Sequence, residues 1–151
     1  MKAVFKFLGC AVSFLVVIGV AYGQFAKPEE AIAYRRAVMK VNGHHFNSLG
    51  AMVKGSVPYD QAAAASDAQV VTMMAGLPWA AFAVAGSDQG DTRLKSSALA
   101  ERDKFMAAAS AFEAASAKLR DLADAGDEAA VKAQFGAVAQ TCKECHRAYR
   151  N

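Results

Sequence analysis

Apolar residues recur three and four positions apart through four stretches of the chain and almost nowhere alternate at the two-residue period of a strand. The first stretch opens at Pro28, a residue suited to a first helical turn, with Glu29 and Glu30 at the positive helix end. It runs to about Lys54, ahead of Gly55, and its inward stripe reads Ile32, Met39, Phe46, Leu49 and Val53. Two polar side chains, Arg35 and Asn42, interrupt that stripe. The second stretch runs from about Tyr59 to Gly76, with Val70, Met74 and Leu77 on one face. "PWAAFAVAGSDQGDTRLKSS" follows without a sustained period, a length of connection that in a compact domain tends to be functional. The third helix is predicted from about Ser97 to Ala125, carrying Phe105, Phe112, Leu119 and Leu122, and Gly126 closes it. Asp127 caps the fourth, whose seam is Val131, Phe135, Val138, Cys142, Cys145 and Tyr149 at steps of four and three. Four helices with short turns and one long crossover predict an all-α fold, an antiparallel four-helix bundle.

The first 23 residues do not belong to that pattern. Lys2 and Lys6 precede an apolar run from Phe7 to Val20, and Ala21-Tyr22-Gly23 supplies small residues before Gln24. A basic start, a short apolar run and a small-residue cleavage site predict a secretory signal peptide over residues 1–23, removed from a single domain over 24–151. The run is shorter than the roughly 20 residues that span a bilayer, so no membrane anchor is expected after cleavage. Cys10 precedes most of that run, where a lipid-modified cysteine does not belong. Removal of the segment lowers Lys+Arg from 17 to 15 against 14 acids, and the formal charge from +3 to +1. The apparent basicity is therefore largely the export signal. No Lys/Arg run interleaved with aromatics remains, which leaves nucleic-acid binding without support.

Two cysteines survive cleavage, Cys142 and Cys145, with His146 directly behind them. Cys-x-x-Cys-His is the attachment sequence of c-type haem. On a helix the two thiols lie one turn apart and face the same way, so both reach the vinyl groups of one haem. The following imidazole is placed to ligate the iron. Three other readings compete with haem. A thioredoxin-like pair would start a helix after a strand, a context absent here. A disulfide at this spacing within one helical turn is geometrically awkward. A zinc site needs about four ligands, and only the adjacent His44 and His45 could join the cysteines. Nothing in the chain forms a nucleophile–base constellation, so no enzymatic role is expected. An arginine on an apolar stripe, as at Arg35, calls for a buried anionic partner.

With this motif on the last helix of an exported four-helix chain, the sequence resembles cytochrome c′, the c-type cytochromes built as helical bundles. The likeness runs through "QFAKPEEAIAYR", "VKGSVPYD", "LPWAAF", "GDTR", "ADAGD" and "CKECHRAYR", essentially all of the mature chain. The resemblance implies one haem c held covalently by Cys142 and Cys145, with His146 the single protein ligand to a five-coordinate, high-spin iron. It matches Arg35 and Arg36 to haem-contacting positions of the first helix, where a guanidinium can pair with a propionate, and Asp91 to a crossover residue near the haem edge. Met39 corresponds to the position over the distal iron face, and Trp79, Phe82, Phe105 and Phe112 to pocket aromatics. Arg150 corresponds to a basic residue acting on the proximal side of His146. Asn42, one turn beyond Met39, departs from the apolar residue expected there, and either hydrogen-bonds a bound ligand or turns aside. The family implies binding of nitric oxide and carbon monoxide, electron exchange with an unidentified redox partner, and a periplasmic homodimer built through the first two helices. Val41 and Met52 are the exposed-looking apolar residues that fit such an interface. The alternative is a low-spin electron carrier, six-coordinate through His146 and Met39.

Overall fold

The computed structural model describes residues 24–151, so the predicted signal peptide and Cys10 lie outside the described residues. The helices are α1 (Pro28–Val53), α2 (Gln61–Ala75), α3 (Trp79–Phe82), α4 (Ser97–Ala100), α5 (Arg102–Asp124) and α6 (Glu128–Tyr149). The four long ones form the bundle: α1 packs on α2, α2 on α5, α5 on α6, and α6 returns to α1. Among the described residues no helix is long and apolar enough to cross a membrane.

Local chemistry sets the helix ends. Pro28 occupies the first turn of α1, with Glu29 and Glu30 behind it. The Asp60 carboxylate accepts from Ala63 N at 2.8 Å and starts α2; Asp127 accepts from Ala130 N at 2.9 Å and starts α6. Gly126, at φ 75°, takes the left-handed position that lets the chain leave α5 and re-enter α6.

Leu49, Val71, Leu119, Val131 and Val138 are fully buried at the centre, each contributing on the order of 1.5–3 kcal/mol by leaving water. Phe46 of α1 and Phe135 of α6 stack with centroids 4.3 Å apart. Gly50 leaves room for them, since a Cβ there would come within 2.9 Å of the Phe135 ring.

Four expectations need correction. The buried face of α2 is Ala64, Asp67, Ala68, Val71 and Ala75; Val70 and Met74 are only half-buried and Leu77 is exposed. Small side chains allow α2 to lie close to both α1 and α5, and that close packing outweighs placing the largest residues inward. Met52 is buried, not exposed, whereas Val41 is 42 % exposed. The crossover is not wholly irregular, because α3 sits within it. The predicted start of the third helix is instead the separate turn α4, which breaks at Glu101 (φ −106°, ψ 45°) before α5 begins.

Candidate functional site

The bundle does not close fully. Between α1, α5, α6 and the crossover it leaves a cavity of about 860 Å³, open on one side. The alanine-rich helices have too little side-chain volume there to fill the interior themselves.

One wall comes from α6, where the seam brings Cys142, Cys145, His146 and Tyr149 to the cavity. Both thiols are half-buried and unbonded to each other. Burial pushes both above the ordinary thiol pKa, and at Cys145 the neighbouring Cys142 adds to the effect. They therefore stay protonated, unlike the low-pKa thiolate of a redox pair. His146 lines the cavity and is exposed. Partial desolvation first, then the charges of Arg150 and Arg93, lower its pKa, which favours the neutral imidazole that metals bind. Among the described residues no group of three or more His, Cys, Asp and Glu gathers as a metal cage.

The aromatic wall comes from α3 and α5. Trp79 lies 5.8 Å from Phe82, 6.0 Å from Phe105 and 6.4 Å from Phe112, centroid to centroid, and Phe105 meets Tyr149 edge-on at 5.2 Å. Trp79 stacks on Phe82 and meets Phe105 and Phe112 edge-on, and these contacts hold the rings in fixed orientations around the cavity. The Trp79 indole N–H is buried without a partner among the described residues.

The third wall belongs to α1. Met39 is half-buried and lines the cavity, with Arg35, Arg36, Lys40 and Phe46. Asn42 lines it too, but its side-chain amide donates to Val71 O at 3.3 Å, which ties it to α2. Arg36 is ion-paired with Asp91 on the exposed rim and donates to Asp91 O at 3.0 Å.

Arg35 is the buried cation of this wall. It is 2 % exposed, yet its partners among the described residues are neutral: Ser87 Oγ at 2.9 Å, Ser87 O at 2.5 Å, Thr92 Oγ1 at 2.7 Å and Ala81 O at 3.3 Å. Its guanidinium carbon also lies 4.7 Å above the Phe82 ring. The crossover thus solvates this cation with carbonyl and hydroxyl oxygens. Burial lowers the Arg35 pKa, and the charge of Asp88 opposes that shift.

All twelve residues singled out in the sequence line this one cavity: Arg35, Arg36, Met39, Trp79, Phe82, Asp91, Phe105, Phe112, Cys142, Cys145, His146 and Arg150. Thr92, Arg93, Leu94 and Tyr149 line it as well. The sequence marked Tyr149 as a seam residue and Thr92 and Arg93 only as part of "GDTR", because the pairing that brings the crossover to α6 leaves no periodic trace.

A family profile described as Cytochrome C′ matches residues 30–150. The chain is 39% identical over 127 residues to the cytochrome c′ of Alcaligenes xylosoxydans xylosoxydans, with 84% of this chain and 98% of that one covered. The chain belongs to the cytochrome c′ family. Its cofactor is accordingly haem c, and the donor set fits that group: two neutral thiols one helical turn apart and a neutral imidazole on one wall of an aromatic-lined cavity. Cytochromes c′ are haem carriers and not enzymes, and this member is no exception. The fold agrees with the solved cytochrome c prime from Shewanella frigidimarina at TM-score 0.82 and 32% identity, covering 84% of this chain and 98% of that one. It agrees equally in kind with the nitric oxide complex of a variant of cytochrome c prime from Alcaligenes xylosoxidans, at TM-score 0.78 and 37% identity, covering 85% and 98%.

Proposed function

We propose that this cytochrome c′ is a periplasmic protein whose haem is held by Cys142 and Cys145, with His146 as the only protein ligand to iron, and that it takes up nitric oxide or carbon monoxide and passes electrons. The observation that carries this reading is the shared cavity: α6 presents both thiols and the imidazole, while α1 presents Met39 to the same space. When bound, haem c supplies an iron that changes oxidation state and accepts a diatomic at a free coordination position. The chain's part is to fix that iron, restrict access to it and shield it from water. Met39, Phe46, Phe82, Phe105 and Phe112 give the cavity an apolar lining, which favours small uncharged ligands over anions. Arg36 and Asp91 form an ion pair at the cavity, and the charge of Arg150 acts on His146.

The alternative is low-spin iron ligated by both His146 and Met39, favoured by the presence of that thioether in the cavity. Met39 is better read as a cover, because an unbranched, polarizable side chain commonly fills irregular apolar gaps without bonding.

Export follows from the signal-like residues 1–23, and the dimer from the resemblance. The first two long helices carry exposed apolar residues that suit an interface, Val41 at 42 % on α1 and Met73 at 53 % on α2. Native mass spectrometry of the protein purified from the periplasm of an expression host that matures c-type haem tests these points together. The expected species is a dimer, each protomer beginning at Gln24 and carrying one haem covalently. A chain without added haem mass overturns the proposal; a monomer or a retained leader overturns only the corresponding part.

A further inference from the structure

The Arg35 side chain and the His146 backbone are joined by an unbroken line of hydrogen bonds and short covalent steps. Arg35 donates to Ser87 and to Thr92 Oγ1, and that hydroxyl accepts in turn from Leu94 N at 3.2 Å. Leu94 and Arg150 form an isolated antiparallel bridge. Around it Lys95 N donates to Tyr149 O at 2.9 Å, and Asn151 N to Arg93 O at 2.8 Å. The Lys95 ammonium also donates to Arg147 O at 3.1 Å, satisfying a carbonyl that the end of α6 leaves unpaired. Arg150 N closes the path by donating to His146 O at 3.0 Å.

We infer that Arg35 is a positioning residue for His146, acting through crossover residues 87–95, which it straps to the last turn of α6. The inference rests on His146 being the iron ligand. Nη2 donates to Ser87 O and Thr92 Oγ1 while Nη1 donates to Ser87 Oγ and Ala81 O; a lysine ammonium is a point charge on a flexible stem and does not reproduce all four contacts. Residues 83–96 have no helix of their own, and Gly86 (φ 78°) and Gly90 (φ 79°) give that backbone little stiffness, so it depends on tethers from α1: the exposed Arg36–Asp91 pair and the buried Arg35. Removing Arg35 loosens the buried side of the segment and, through Thr92 and Leu94, weakens the bridge to the α6 terminus.

The test uses the haem-loaded protein with Arg35→Lys, which keeps the charge, and Thr92→Val, which keeps Arg35 and removes one acceptor. Amide hydrogen exchange at Lys95 and Asn151 reads the strap, and the iron–histidine stretching band in resonance Raman of the ferrous protein reads His146. Both variants are expected to speed exchange at the two amides by about tenfold, the effect of losing one charge-assisted hydrogen bond. Both are also expected to shift the band in the same direction. If Arg35→Lys restores the parent exchange and band, Arg35 acts by charge alone and the inference fails. If Thr92→Val leaves both readouts unchanged, the strap does not transmit and the inference fails. A missing iron–histidine band in the parent protein overturns the ligand reading beneath it, whereas a parent band that neither variant moves overturns this inference alone.

Discussion

Replacing Cys142 and Cys145 together by alanine is expected to abolish covalent haem and, with it, most of the stability of the bundle. The two thiols share one wall of a cavity of about 860 Å³ that no protein side chain fills. A domain of this size has only about 5–15 kcal/mol in hand, and a cavity of this volume left without the group that fills it takes a large part of that. A loss of about 5 kcal/mol lowers the midpoint by on the order of 20 °C. The double variant should show no haem staining after denaturing electrophoresis. It should keep helical far-ultraviolet dichroism while losing the near-ultraviolet signal of the aromatic wall, the behaviour of a compact state without fixed packing. Either single replacement leaves one thiol and should retain covalent haem in reduced yield. Covalent haem on the double variant would mean that the attachment site lies elsewhere.

Met39→Ala has the next largest expected effect. Met39 lines the cavity from α1 and is only half-buried, so it has room to move aside when a ligand enters. Displacing a packed side chain costs about 1–3 kcal/mol, which the incoming diatomic must offset. Where only the displaced arrangement is competent, apparent affinity falls by the competent fraction, and removing the cover restores it. Carbon monoxide affinity of the ferrous protein should therefore rise by about 10- to 100-fold in the alanine variant, with the resting spectrum remaining high-spin. If Met39 were an axial ligand, the same substitution would instead convert a low-spin spectrum to a high-spin one.

The outline of the bundle was legible because helices announce themselves by period and by their ends. Pro28, Asp127 and Gly126 mark termini that the structure places within a residue or so. The seam on α6 was legible for the same reason, and it brought Cys142, Cys145 and Tyr149 together in advance. Three things were not legible. The buried face of α2 is mostly alanine, and an alanine carries little pattern whether it faces in or out. The break at Glu101 interrupts a helical pattern without proline or glycine, so no residue there advertises it. The partners of Arg35 are backbone carbonyls and hydroxyls from α3 and the segment after it, 46 to 57 residues away. Such contacts depend on how the crossover folds back, which no local pattern in the sequence records.

The most direct test of the account is the optical spectrum of the purified protein, ferric and ferrous, before and after carbon monoxide. One thioether-bound haem with His146 as its only protein ligand and Met39 as a cover predicts high-spin spectra in both oxidation states, with a ferrous spectrum that changes on carbon monoxide. A low-spin ferrous spectrum that carbon monoxide leaves untouched would contradict it, and would assign the cavity to the six-coordinate electron carrier instead.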